Sequence, residues 1–300
     1  MNNKITESKN PKSSSLDTMS ITEIVELINE EDSKISRVIK EIIPQISSLI
    51  ENIVKNVLNN GRIIYVGAGT SGRLGVLDAS ECQPTFSVNP SRVQGIIAGG
   101  KNAIINSIEG AEDNLLNAKS DFNKLKINTF DNIIGITTSG NTPYVLKFLE
   151  LAYKKGADTS IITSNNIKKP IYVNNVINLL VGPEILTGST RMKAGTATKM
   201  VLNMISTTTM IKLNKVYKNY MVDLKINNQK LELRAIRIIK DLTGLDIERS
   251  FNLLKKSNFK VKNAILMNLK NITYQKSCII LRKFDGNLRD AINYKDQKCN

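Results

Sequence analysis

The chain has 300 residues with 42 Lys/Arg against 27 Asp/Glu, a net charge of +15, and no histidine. That length allows about two domains and a full core without disulfide or metal staples. The lack of histidine excludes Ser-His-Asp and Cys-His schemes, imidazole bases and the commonest metal ligand, while Cys82, Cys278 and Cys299 are too scattered for a zinc site.

Residues 1–16 are polar and read as loose; they lack the apolar core of a signal peptide. From Ile21 the apolar spacing turns to threes and fours, and 21–59 reads as two or three helices offset at Pro44 and closed by Asn59-Asn60-Gly61. Ile63–Val66 is then a short apolar run ending in glycine, the mark of a buried parallel strand. Further strands are expected over 94–98, 132–137, 158–163 and 176–180, with helices over 73–80, 104–116, 142–155 and 193–213. Alternation of this kind predicts an α/β fold with a doubly wound, mainly parallel sheet and flanking helices. It places the strand-to-helix loops on one edge, where ligands bind. After Asp223 the pattern is helical to the end. The expected division is 1–58 for the tail and N-terminal helices, 59–224 for the sheet domain and 225–300 for a small helical region.

Residues 225–300 hold 17 Lys/Arg and 7 Asp/Glu, so +10 of the +15 lies there. That stretch has no interleaved aromatics and no nucleic-acid motif, and it reads as a solvated basic surface with no nucleic-acid partner. No segment reaches the ~18 consecutive apolar residues of a membrane span. Three unclustered cysteines point to a reducing compartment. The expectation is a cytoplasmic protein with no membrane partner, acting on small anionic molecules.

Three loops carry the chemistry. Gly67-Ala68-Gly69-Thr70-Ser71-Gly72 fits the spacing of a dinucleotide loop, but residues 83–98 lack the acidic side chain that would hold a ribose. Backbone N–H groups at a helix start, with the Thr70 and Ser71 hydroxyls, suit a phosphate monoester instead. The second loop, Thr137 to Pro143, offers Ser139, Gly140 and Thr142 before a proline suited to a helix's first turn; a plain helix cap is the alternative. The third, Gly188-Ser189-Thr190-Arg191, adds a hydroxyl at Ser189, while Arg191 reads equally as an anion clamp or a surface ion-pair partner. Glu81, Glu109 and Glu112 stand among small residues near these loops, and two carboxylates in unlike environments can divide acid and base roles. Cys82 reads as a small buried apolar residue with reactivity as the alternative.

The run from Val66 to Cys82 (VGAGTSGRLGVLDASEC) closely resembles the signature of N-acetylmuramic acid 6-phosphate etherases, as do SIEGAEDN at 107–114, Ser139-Gly140-x-Thr142-Pro143-Tyr144-Val145 and LTGSTRMKAGT at 186–196. The resemblance runs from about Ile5 into the C-terminal helices. It implies a sugar-isomerase (SIS) fold, a homodimer, no metal or organic cofactor, and cleavage of the D-lactyl ether of a muramic acid phosphate in cell-wall sugar recycling. It implies catalytic roles for Glu81 and Glu112, and a sugar-phosphate site at Thr70, Ser71, Gly72, Ser139, Gly140, Thr142 and Ser189. The chain departs from the family pattern at Gln83, Ser87, Asn141 and Thr198; Asn141 removes a charge from the second loop. An aldose–ketose isomerase and a non-catalytic sugar-phosphate regulator on the same fold are the alternatives.

Overall fold

The computed structural model describes residues 4–295. They form two compact units. One comprises the chain up to Ser80 with Asn89–Thr209, the other Glu81–Val88 with the chain from Met210 onward.

In the first unit the N-terminal helices are α1 (Ile21–Ser33), α2 (Ile35–Glu41) and α3 (Ile43–Leu58). A reciprocal Ser20/Glu23 capping box starts α1. Pro44 sits in the first turn of α3, where its missing N–H does no harm. Ile46, Leu49, Ile50, Ile53 and Val57 form one buried stripe of α3. The sheet strands are β1 (Ile63–Gly67), β2 (Val93–Ile97), β3 (Asn132–Ile136), β4 (Asp158–Thr163) and β5 (Asn175–Asn178), all parallel, in the order β2-β1-β3-β4-β5. Every residue of β1 and β3 is buried, as continuous apolar runs in a two-faced sheet require. Chain direction across the sheet reverses between β1 and β3, so the loops after those two strands flank the switch point.

The helix α4 (Gly69–Phe86) follows β1 and ends, past Pro84, in the second unit. It lies on the sheet through paired glycines. A Cβ on Gly72 would come within 2.6 Å of Ile97 and 2.8 Å of the Gly67 carbonyl, and one on Gly75 within 2.8 Å of Tyr65. On the opposite face, α7 (Pro143–Lys154) and α6 (Leu115–Leu125) pack Phe122, Tyr144 and Phe148 against Ile64, Val66 and Ile133.

Two expectations are corrected here. The helix expected over 104–116 is broken: α5 (Asn102–Ile105) ends at Asn106, Gly110 turns at φ +68°, and Asn114 caps a new helix, α6. The tail is also more ordered than its composition implies, with single 3-10 turns at Ile5–Glu7, Pro11–Ser13 and Leu16–Thr18 and with Thr6 and Asn10 buried.

The long helix α8 (Lys193–Lys212) closes the first unit. Its first two backbone N–H groups donate to the buried Glu184 carboxylate, at 3.0 Å from Lys193 and 2.9 Å from Ala194. The Lys193 side chain is buried and paired with Glu31 of α1, which also receives Lys34. Asp78 of α4, buried, accepts from Asn203 at 2.7 Å and Ser206 at 3.0 Å on α8. Burial holds the Asp78 carboxyl above its ordinary range.

The second unit contains a short hairpin, β6 (Val216–Tyr217) and β7 (Tyr220–Met221), too brief to register as sequence periodicity. Five helices follow: α9 (Gln229–Thr243), α10 (Ile247–Lys256), α11 (Val261–Lys270), α12 (Tyr274–Lys283) and α13 (Leu288–Asn293). They bury Ile239, Leu254, Ala264, Ile265 and Leu266. Most of the basic side chains are solvated; Lys262 is buried and shares Asp223 with Lys215, at 2.8 and 3.0 Å.

Candidate active site

The first loop is built for close approach. Gly67 and Gly72 face each other so tightly that a Cβ on Gly67 would lie 2.6 Å from the Gly72 nitrogen. The amide of Gly72 donates to the Ala68 carbonyl at 3.3 Å. Gly69 turns at φ +52°, and a Cβ there would meet nothing within 4 Å. The first-turn N–H groups of α4 lack intrahelical partners by geometry, and Thr70 and Ser71 stand half-buried beside them.

This helix start shares a cavity of about 340 Å³ with the segment that breaks the expected helix. Ala68, Gly69 and Arg73 form one wall; Ser107, Glu109 and Glu112 belong to the other. Arg73 fixes the two together, donating to the carbonyls of Ile104 at 3.0 Å and Asn106 at 2.9 Å. Sequence reasoning gave Arg73 no separate role; its place in the glycine-rich run was the available signal. Glu112 is exposed, in a 3-10 turn at Ala111–Asp113.

The second loop is held by its own hydroxyls. Thr137 and Thr142 pair through their Oγ1 atoms at 2.8 Å, and Ser139 Oγ accepts from the Asn141 amide at 3.3 Å. Thr142 therefore faces inward to Thr137 and does not cap α7 with its side chain. Gly140 turns at φ +75°, with Ile167 only 2.5 Å from where a Cβ would stand. Asn165 braces the loop from the end of β4, donating to the Thr138 carbonyl at 2.9 Å. Ser139, Gly140 and Asn141 line a second cavity of about 490 Å³.

The remaining candidates are placed as follows. Ser189 is half-buried in the turn leading to α8, its amide bonded to the Leu186 carbonyl at 2.9 Å. Gly195 of α8 approaches the first loop: a Cβ there would lie 3.7 Å from Thr70. Arg191 is exposed. Cys82 is buried, in line with the apolar reading; Cys299 lies outside the described residues. Glu81 is exposed, twelve residues after Gly69 on α4 and within the second unit.

Comparison with known proteins gives this arrangement a family. The chain is 49% identical over 291 residues to an N-acetylmuramic acid 6-phosphate etherase of Mycoplasma mycoides subsp. mycoides, covering 97% of this chain and 96% of that protein. Those of Caldanaerobacter subterraneus subsp. tengcongensis and Clostridium botulinum are 46% and 49% identical, each with at least 96% of both chains covered. The chain belongs to the N-acetylmuramic acid 6-phosphate etherase family. Family models agree on the parts: the glucokinase regulatory protein N-terminal SIS domain matches residues 45–153, and the C-terminal lid domain of glucokinase regulatory protein matches 218–282. The SIS match covers β1, β2, β3 and most of α7, with both loops at the switch point. In this etherase-family chain the lid match spans the second strand of the hairpin, β7, then α9 to α11 and nearly all of α12.

Proposed function

We propose that this protein cleaves the D-lactyl ether of N-acetylmuramic acid 6-phosphate, giving N-acetylglucosamine 6-phosphate and D-lactate, as a carbon–oxygen lyase of cell-wall sugar recycling. Kinship along nearly the whole chain to proteins of that name carries this reading. The shared cavity of the α4 start and Glu112 supports it, since a phosphate anchor and a proton-transfer group must serve one small molecule.

The chemistry suits carboxylates. An alkoxide is a poor leaving group, but the open-chain aldehyde at C1 acidifies the C2 proton. Glu112 removes that proton. The C3–O bond then breaks, and Glu81 protonates the departing lactate oxygen. Glu81, now ionised, takes a proton from water as it adds to C3 of the enal, and C2 is reprotonated. The phosphate rests on the first-turn N–H groups of α4 with Thr70 and Ser71, on the Ser139–Gly140 turn, and on Ser189. Thr142 supports that turn through Thr137. Purified protein incubated with N-acetylmuramic acid 6-phosphate should release D-lactate. A non-catalytic sugar-phosphate regulator on the same fold would bind the sugar and release none; both family models are named for a regulatory protein.

Ser139→Ala should raise KM for the sugar phosphate roughly tenfold or more, with kcat less affected, since a hydrogen bond to a charged group contributes about 1.5–3 kcal/mol. An unchanged KM contradicts the assignment of this turn.

The protein is further proposed to work as a homodimer. The apolar faces of α3 and α8 are consumed within the chain: Ile46, Leu49, Ile53, Val201, Leu202 and Ile205 are all buried. Exposed apolar side chains collect instead along the broken segment, at Ile104, Ile105, Ile108, Leu115 and Leu116. Light scattering at micromolar concentration should give twice the 33.3 kDa chain mass, and Ile105→Lys with Leu116→Lys should return it to one. A wild-type mass of one chain contradicts the dimer.

A further inference from the structure

We infer that Lys4 is a substrate-binding residue, its ammonium supplying the positive charge for a phosphoryl group held at the Ser139–Gly140–Asn141 turn. The inference rests on the sugar-phosphate reading above and adds a residue that no loop motif contains.

The turn has a charge problem. Its own side chains are neutral, whereas a phosphate monoester carries about −1.5 to −2 at neutral pH. Backbone N–H groups and hydroxyls stabilise such an anion only in part, and enclosed sites commonly add a cation. The cavity over this turn has Lys4 and Lys168 in its lining and no carboxylate. Lys168 is exposed, whereas Lys4 is half-buried against the turn itself. With the Asn141 amide oriented so that donors meet acceptors, Lys4 Nζ donates to the Asn141 carbonyl oxygen at 3.3 Å, and the Asn141 nitrogen donates to the Gly140 carbonyl at 3.1 Å. Among the described residues Lys4 makes no ion pair, so its charge is not already neutralised by a carboxylate.

Lys4 is also held in place. Two residues on, Thr6 is 3% exposed and bonded twice to Asn165: its amide donates to Asn165 Oδ1 at 3.4 Å, and Asn165 Nδ2 donates to its hydroxyl at 3.0 Å. The same Asn165 nitrogen donates to the Thr138 carbonyl. One asparagine therefore ties the N-terminal segment to the loop, and Lys4 and Ile5 become a wall of its cavity. An ammonium placed before the ligand arrives loses less freedom on binding.

The test compares wild type, Lys4→Gln and Lys4→Gln/Asn141→Arg. Lys4→Gln should raise KM for N-acetylmuramic acid 6-phosphate roughly tenfold or more with little change in kcat, and weaken calorimetric binding of inorganic phosphate by a similar factor. Arginine at 141, reaching the same corner, should restore most of both. A protein that has merely lost a structural contact would not be rescued by charge at a second position. KM and phosphate affinity within twofold of wild type in Lys4→Gln overturn the inference while lactate release by wild type leaves the etherase reading standing. Lys4-dependent phosphate binding without lactate release does the reverse.

Discussion

Glu81→Gln is expected to keep substrate affinity near the wild-type value and to lose turnover by roughly 100- to 10,000-fold, the usual worth of one assisted proton transfer. Glutamine preserves the shape of the side chain but can neither give the lactate oxygen a proton nor take one from water. Without histidine anywhere in the chain, a carboxylate is the natural group for that task. Glu112→Gln should slow a different step. Wild type incubated with N-acetylglucosamine 6-phosphate in heavy water should deuterate C2, because water addition is reversible and the open-chain product returns towards the enal by losing its C2 proton. Glu112→Gln should deuterate C2 far more slowly, by a similar factor. If it exchanges at the wild-type rate, Glu112 is not the C2 base and Glu81 must serve both steps. In both variants a loss confined to kcat marks an interaction realised in the transition state, and the exchange at C2 separates the two assignments.

The second large effect concerns stability. Lys193 and Glu31 pair with side chains only 2% and 4% exposed. Glu31→Gln leaves a buried ammonium without its counter-charge, and such a loss costs about 3–5 kcal/mol. The double variant Glu31→Gln/Lys193→Met should recover most of it, because a buried pair is often replaceable by apolar packing. Urea unfolding midpoints measure both. The pH dependence has a definite sign. Burial pushes the Glu31 carboxyl up, but Lys193 and Lys34 together hold it below the ordinary glutamate range. Its contribution is therefore present above about pH 4.3 and is lost as the pH falls through the lower folded-state value. Wild type should lose more stability than Glu31→Gln across that acidic window. An equal acid sensitivity in the two proteins contradicts this role for Glu31.

Much of the fold is legible in the amino-acid sequence, for identifiable reasons. The central strands β1 and β3 are short, nearly continuous apolar runs, as a sheet covered on both faces requires, whereas β2, β4 and β5 carry polar residues such as Gln94, Asp158, Ser160 and Asn175 and are legible by their Val and Ile pairs. The loops after β1 and β3 stand out because glycine and hydroxyl residues follow those runs directly. The segment from Ile104 to Leu116 misleads for a physical reason. Ile104, Ile105, Ile108, Leu115 and Leu116 have helical spacing, yet they are exposed in the folded chain. Their periodicity does not record a buried helix face, and Gly110 and Asn114 decide the local backbone. The tail misleads in the opposite direction. Thr6 and Asn165 lie 159 positions apart, and no local pattern reveals that one holds the other. Lys193 and Glu31, 162 apart, are hidden for the same reason. Glu81 and Glu112 become candidates through composition and small neighbours, and their proposed roles come from family resemblance, not from spacing.

The central claim is that the ether is broken by elimination and the product completed by water. It is tested most directly by running the wild-type reaction on N-acetylmuramic acid 6-phosphate in water enriched in oxygen-18 and weighing both products. The account predicts D-lactate that retains the unlabelled ether oxygen and N-acetylglucosamine 6-phosphate labelled at the C3 hydroxyl, in addition to label that enters C1 by hydration of the aldehyde. Label in the lactate hydroxyl would mean displacement at the lactyl carbon and would contradict the elimination, and an absence of lactate would contradict the etherase reading itself.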